Sequence, residues 1–259
     1  MVSFFYFLKL KERRRKMIYK ELDNGLIKFN VSSGLPNYSQ RNNEYLDEIT
    51  NKKIAHSMCN VTSYCMAYSY TGAAFPKTSK KYTQEEDQFI EFLRNSKEVN
   101  EYYKKLLPSY YKAWKNNEKD NYPPEQIHDI LNYAFNLWVG WRAASLNLKA
   151  EINSMIKFII ENNRPMVLSG KFGRLNHIVC LVGLVADKKI LDHLNEKNLI
   201  KYVKKFIIDD PYGDFRDQYK TIIGNDIEMT SEDFIHIFKP VDDIDNKICH
   251  FFHAPIATV

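Results

Sequence analysis

The chain has 259 residues, of which 44% are apolar and 27% are charged, a composition typical of a folded globular protein with one large or two small domains. Its net charge of +5 comes from 37 basic and 32 acidic residues that are spread fairly evenly. The sequence contains no sustained basic stripe and no nucleic-acid motif, which excludes nucleic acid as a predicted partner. The mild excess of positive charge suits an anionic surface such as a cell wall.

The N-terminus does not have the pattern of a secretory signal. Its apolar stretch, FFYFL at 4–8, is short, and the basic cluster follows it instead of preceding it. No apolar run approaches the roughly 18 residues of a membrane span. We therefore predict a cytoplasmic protein, or one released by lysis or non-classical export. Met17 is an alternative start, which makes residues 1–16 a disordered or mis-started extension of a single domain over 17–259.

The first half of the chain is predicted to be mostly helical. A strand or a hairpin is predicted over 17–31, with Asn24-Gly25 at the turn, and a loop over 32–50 contains Gln40. A helix over 58–71 follows, with Ser57 as its N-cap and Cys59 in its first turn. A further helix is predicted over 83–107, with a Thr83–Glu86 capping box and Pro108 as the stop. Another helix is predicted after Pro123-Pro124, and a third over 149–162.

The hydrophobic period changes in the second half. Short apolar runs rich in Val and Ile, at 165–170, 177–183 and 204–210, are typical of buried strands. A short helix over 230–238 and a final strand from Cys249 complete the chain. The predicted fold class is therefore α+β, with an antiparallel sheet after the helices.

Three residue types point to covalent acyl transfer. A thiol in the first turn of a helix is favoured as thiolate, which is the nucleophilic form. His177 begins one predicted strand and Asp209-Asp210 end another, so antiparallel pairing would place them at one edge of the sheet. A nucleophile, a base and an orienting carboxylate form a catalytic triad. Taken singly, Cys59 is equally typical of a buried core, His177 of a strand end and Asp209-Asp210 of a turn.

The motifs YSQRNNEY (38–45), CNVTSYCMAYSYTG (59–72), PMVLSG (165–170), NHIVCLVG (176–183) and FIIDDPYGD (206–214) resemble those of a known family. It is the papain-like cysteine peptidases related to the bacteriocin-processing (double-glycine leader) peptidases. The resemblance implies a papain-like fold, a helical subdomain packed on an antiparallel sheet. It also implies Cys59 as nucleophile, His177 as general base, Asp210 as orienting acid and Gln40 as the oxyanion-hole side chain.

The sequence departs from the family in several places. Asn60 replaces a usual glycine and Val61 a common proline, and Asp209 replaces a frequent asparagine beside Asp210. Residues 75–150 form a longer helical insertion than the family needs. Its aromatic residues are candidates for either core or substrate groove: Tyr102, Tyr103, Tyr110, Tyr111, Trp114, Tyr122, Trp138 and Trp141.

The other polar clusters do not predict a metal or cofactor. The four cysteines (59, 65, 180 and 249) lack the spacing of a disulfide framework or a zinc site, so a reducing compartment is the simpler assumption. Cys249, His250 and His253 have no second ligand pair, and Asp242, Asp243 and Asp245 lack the remaining ligands of a calcium loop.

The predicted function is a cysteine peptidase that uses a thioester acyl-enzyme and needs no cofactor. Its expected substrate is a peptide, with peptidoglycan peptides of a bacterial or phage lysis system as one candidate. The alternatives are an inactive peptide-binding module of the same fold, or an acyltransferase with the same triad.

Overall fold

The computed structural model describes residues 18–31, 38–46, 51–72, 74–115, 126–140, 144–147, 151–170, 172, 177–238 and 249–252. Within these ranges the helices are α1 (Cys59–Ser69), α2 (Glu85–Asn95), α3 (Lys97–Leu106), α4 (Pro108–Lys115), α5 (Gln126–Trp138), α6 (Ile152–Asn162) and α7 (Ser231–Phe238). The strands are β1 (Lys20–Glu21), β2 (Leu26–Asn30), β3 (Ala144–Asn147), β4 (Met166–Gly170), β5 (His177–Asp187), β6 (Val203–Asp209), β7 (Ile227–Thr230) and β8 (Cys249–Phe252).

The strands form one sheet in which every described pair is antiparallel. The order is β1-β2-β5-β4-β8-β3, with β6 paired to β5 and β7 paired to β6. The long strand β5 is the centre of the sheet because β4 pairs with its first half, β2 with its second half, and β6 along its other edge. The predicted α+β class with an antiparallel sheet is confirmed.

Strand β5 contributes to two hydrophobic cores because its successive side chains face opposite sides of the sheet. Cys180 and Val182 lie in the core that contains α1, whereas Val179 and Leu181 lie in the core on the other face. All four are completely buried. The strand must therefore be apolar on both faces, which explains the unbroken run of apolar residues in its sequence.

The two faces of the sheet are covered by different helices. On one face, α1, α2 and α5 bury a cluster of aromatic rings in which Phe89 stacks on Trp138 and meets Phe135 edge to face. On the other face, α6 and α7 pack on the sheet, and Phe234 of α7 stacks on Phe206 of β6 with ring centroids 3.9 Å apart. The sequence predicted both of these helices, over 149–162 and 230–238, but not that they lie on the face opposite the other helices.

The helix predicted over 83–107 is wrong in its continuity. Ser96 has an extended backbone (ψ 124°) that ends α2, and its hydroxyl accepts a hydrogen bond from the Val99 N–H and so begins α3. Thr83 does not cap this region, because Gln84 is the residue before α2. Pro108 begins α4 instead of only ending a helix, which suits a residue without an N–H.

The predicted insertion over 75–150 contains a strand as well as helices, since Ala144–Asn147 pairs with β8. Two of its aromatic residues, Tyr103 and Trp138, are buried in the core, and Tyr102, Tyr110 and Tyr111 pack partly buried against it. The core interpretation therefore holds for Tyr103 and Trp138. Several sequence predictions lie outside the described residues. They concern residues 1–16, Tyr122, Pro123-Pro124, Trp141, Asp242, Asp243, Asp245, His253 and the side chain of Trp114. Among the helices that the structure describes, none has the length and apolar character needed to cross a bilayer.

Candidate active site

Helix α1 positions the candidate nucleophile at its first residue. Cys59 begins the helix and is partly accessible to solvent. Ser57 is not the N-cap that the sequence predicted: Ser57 belongs to a preceding 3₁₀ turn over Ala55–Ser57, and Met58 precedes the helix. Because the first backbone N–H groups of a helix have no partner within it, the Cys59 thiol lies in an electropositive position.

Asn60, the departure from the family glycine, contributes to the start of the helix. Its side-chain oxygen accepts a hydrogen bond of 2.7 Å from the Val61 N–H. An N–H group of the first turn is thereby satisfied by a neighbouring side chain instead of by solvent. The asparagine is thus compatible with the helix start in which Cys59 lies.

Antiparallel pairing of β5 with β6 brings His177 and Asp210 together. Cys180 lies opposite Asp209 in the register, so the start of β5 and the end of β6 share one edge of the sheet. The Nε2–H group of His177 donates to Oδ1 of Asp210 over 2.7 Å, and both side chains are almost fully buried. The Cys59 thiol lies near enough to the imidazole to raise the pKa of His177. Because Nε2 contacts Asp210, Nδ1 is the nitrogen that remains for Cys59.

Opposing effects act on the pKa of His177. Burial lowers it, but the hydrogen bonds to Asp210 and Cys59 and the charges of these two groups outweigh burial and raise the pKa of His177 to about 10. The imidazolium is therefore the favoured form at neutral pH. A protonated imidazole beside a thiol is the environment in which a cysteine becomes a thiolate.

The two adjacent aspartates have different partners. Asp209 is fully buried and accepts hydrogen bonds from the Tyr70 hydroxyl (2.7 Å) and the Asp226 N–H (2.6 Å). Asp210 accepts instead from His177 and from the Tyr212 N–H. Since Tyr70 follows the last residue of α1, Asp209 ties the far end of that helix to β6. The structure thus brings Asp210, and not Asp209, to the imidazole.

Gln40 lies between the two halves of the site. Its Nε2 group donates to the carbonyl of Ala55, in the turn that precedes Cys59, over 3.0 Å. Its backbone N–H donates to the carbonyl of Pro211, the residue after Asp210, over 2.9 Å. The residue is 1% exposed. An amide nitrogen has two hydrogens, so one N–H group of Gln40 remains for another acceptor.

Two residues that the sequence analysis did not select help to position the site. The Ser63 hydroxyl, one turn after Cys59, donates to the carbonyl of Ile178, which follows His177, over 3.1 Å. The carbonyl of Gly224 accepts a hydrogen bond from the Asp210 N–H. A Cβ at this glycine would lie 2.1 Å from the backbone carbonyl oxygen of Asp210. Ser63 lies within the motif CNVTSYC, which was a usable signal. Gly224 had no such signal, because its close backbone contact arises only in the folded chain.

The remaining described cysteines differ sharply from Cys59. Cys65 and Cys180 are completely buried, and burial raises the pKa of each thiol well above its ordinary value. The side chains of Cys249 and His250 are not described, so the sequence-based expectation that this segment binds no metal stays a prediction. Among the described residues, no three His, Cys, Asp or Glu side chains are grouped as a metal ion would require.

Comparison with protein families identifies the class to which this fold and site belong. The model of the Peptidase_C39 like family matches residues 33–234, which include Gln40, Cys59, His177 and Asp210. The chain therefore belongs to the Peptidase_C39 like family, a family of cysteine peptidases, and the resemblance stated from the motifs is confirmed. Comparisons with curated proteins and with solved structures find no significant match.

Proposed function

We propose that the protein is an active cysteine peptidase that hydrolyses a peptide or amide bond through Cys59, His177 and Asp210, with Gln40 as oxyanion donor. The observation that carries this proposal is the buried imidazole of His177, which donates a hydrogen bond to Asp210 and lies near enough to the Cys59 thiol for that group to raise the pKa of His177. These are the contacts that a nucleophile, a base and an orienting carboxylate require.

The proposed reaction proceeds in two halves. The Cys59 thiolate attacks the carbonyl carbon, and the resulting oxyanion accepts hydrogen bonds from the free N–H of Gln40 and the backbone N–H of Cys59. The His177 imidazolium gives its proton to the departing amine, which leaves a thioester on Cys59. A water molecule then loses a proton to His177 and attacks the thioester. The bond between Cys59 and the carbonyl carbon then breaks, the acid product departs, and the thiolate and the imidazolium are restored.

The substrate class in this proposal is a peptide, with cell-wall peptides as the first candidate because the chain has a net charge of +5. The purified protein would be incubated with peptidoglycan and, separately, with a denatured protein, and the products read by mass spectrometry. We expect new termini from one substrate with the wild type and none with Cys59→Ala. Wild-type protein that binds peptides but releases no product would be an inactive binding module. A product joined to an added amine would instead indicate an acyltransferase.

Gln40→Ala tests the oxyanion role in the same assay. One oxyanion donor is worth about 3 kcal/mol in the transition state, so turnover should fall roughly 10²–10³-fold. The rate at which iodoacetamide alkylates Cys59 should change little, because that reaction forms no oxyanion. Equal losses of both rates would show that Gln40 acts by holding Cys59 or Asp210 in place, and would contradict the proposed role.

A further inference from the structure

Arg41, beside Gln40, makes three contacts with the loop that follows Asp210. Its Nε donates to the carbonyl of Tyr212 over 2.7 Å, and its Nη2 donates to the carbonyl of Tyr219 over 3.0 Å. The guanidinium also lies over the Tyr212 ring, 4.2 Å from the centroid. A planar guanidinium with several fixed donors is suited to bridging two carbonyls in this way, whereas an ammonium group is not.

The backbone that Arg41 holds is in an unfavourable conformation. Gln218 and Tyr219 have φ values of 61° and 65°, a left-handed region that residues with side chains other than Asn and Asp seldom adopt. Two further hydrogen bonds fix Tyr219 there, from its N–H to the Asp214 carbonyl and from its hydroxyl to the Phe172 carbonyl. Such strain persists only where the surrounding contacts enforce it, and it is common at functional sites.

This conformation places the Tyr219 ring against the imidazole. The rings of Tyr219 and His177 meet nearly edge to face, with centroids 6.1 Å apart and an interplanar angle of 82°. Tyr219 is also close enough to the site that burial and the charges of Asp210 and Cys59 raise its pKa. It therefore stays neutral beside the imidazole of His177.

We infer that Arg41 is a positioning residue that holds Tyr219 against His177 and so keeps the imidazole aligned with Cys59 and Asp210. This inference rests on the proposed function, because its effect is exerted on the activated thiol. Without the guanidinium, the carbonyls of Tyr212 and Tyr219 lose their shared donor, and the strained backbone at Tyr219 can relax. The ring then moves away from His177, and water reaches the imidazole.

The rate of Cys59 alkylation by iodoacetamide at pH 7 measures this effect without a known substrate. Arg41→Lys keeps the charge but not the fork of donors, and should lower the rate by about three- to tenfold. The matched control is Arg216→Lys, an exposed arginine of the same loop that hydrogen-bonds to Asp214 and to the Glu228 carbonyl. We expect this control to keep the wild-type rate.

Variants of Tyr219 test whether Arg41 acts through the ring. Tyr219→Asn removes the ring but tolerates the left-handed backbone, and should slow alkylation as much as Arg41→Lys does. Tyr219→Phe retains the ring but loses the hydroxyl bond to the Phe172 carbonyl, and should slow alkylation clearly less than Tyr219→Asn does. Adding Arg41→Lys to Tyr219→Asn should cause little further loss, because the two residues act in series. If Arg41→Lys slows alkylation as much in the Tyr219→Asn background as it does in the wild type, the inference is overturned.

The outcomes separate this inference from the proposed function. A reactive wild-type Cys59 with an unaffected Arg41→Lys variant leaves the proposed function intact and refutes the role of Arg41. An unreactive wild-type Cys59 refutes the proposed function, and the inference with it. Thermal melts accompany each variant. If Arg41→Lys does not fold, the comparison of Tyr219→Asn with Tyr219→Phe decides whether the ring positions His177.

Discussion

Iodoacetamide should alkylate Cys59 of the native protein much faster than Cys65 or Cys180. The expected order follows from position, since Cys59 lies at a helix start beside a protonated imidazole, whereas the other two thiols are fully buried and have raised pKa values. In His177→Ala the rate at Cys59 should fall by about tenfold or more at pH 7, because only a few per cent of an ordinary thiol is ionised there. Peptide mass spectrometry after timed quenching gives the rate at each cysteine.

The effect of His177 should depend on pH in a defined direction. The pKa of His177 is raised to about 10, so the imidazolium is present below that pH and is lost as the pH rises through it. The ratio of the wild-type rate to the His177→Ala rate should therefore be largest at pH 6–7. It should shrink above about pH 8.5, where an ordinary thiol ionises without help.

Two results would contradict this account of Cys59. A rate no faster than that of the buried cysteines would show that the thiol is not activated. A fast rate that survives in His177→Ala would show that the helix start alone activates it and that the hydrogen bond from the imidazole has no part in reactivity.

Asp210→Ala should lower the reactivity of Cys59, whereas Asp209→Ala should lower the stability of the fold, although the two residues are adjacent. Asp210→Ala removes the acceptor that orients His177, and should slow alkylation of Cys59 by up to about tenfold, no more than the loss of His177 itself causes. Asp210→Asn should lose less, because an amide oxygen can still accept from Nε2–H. The rate would be measured at pH 7 with iodoacetamide.

Asp209→Ala should instead affect stability. It leaves the buried Tyr70 hydroxyl without its acceptor, at a cost of about 1–3 kcal/mol, and it also removes the hydrogen bond from the Asp226 N–H. Thermal melting should show a clear loss for this variant, with alkylation of the folded protein close to normal. Slow alkylation in Asp209→Ala together with a normal rate in Asp210→Ala would reverse the two assignments.

The sequence predicted the parts of the fold that depend on local pattern and strand pairing. Short apolar runs rich in Val and Ile identified β4, β5 and β6, and antiparallel pairing placed His177 next to an aspartate. The choice between Asp209 and Asp210 rested on the family resemblance, because alternation shows only that the two side chains point in opposite directions. The contacts of Asp209 with Tyr70 and Asp226 could not be read from the sequence.

The errors in the sequence-based predictions have two causes. Local capping and turn interactions changed the helix boundaries, and tertiary contacts joined residues far apart in the chain. The helix over 83–107 has a continuous apolar pattern, but the Ser96 hydroxyl caps a new helix at a position where periodicity detects no change. Ser57 has the residue type of an N-cap, but it belongs to a 3₁₀ turn, and the helix begins two residues later at Cys59. Arg41 and Tyr219 had no signal, because their contacts join segments far apart in the chain and depend on left-handed backbone at Tyr219.

The order of the three proposed triad residues along the chain has a consequence for protein synthesis. The helix that carries Cys59 leaves the ribosome first, and the strands that place His177 and Asp210 follow much later. Until β5 and β6 pair, the thiol has neither its base nor the carboxylate that orients it. The nascent chain is thus a latent form of the proposed peptidase, and the reactive cysteine is assembled only when the polypeptide has emerged beyond Asp210.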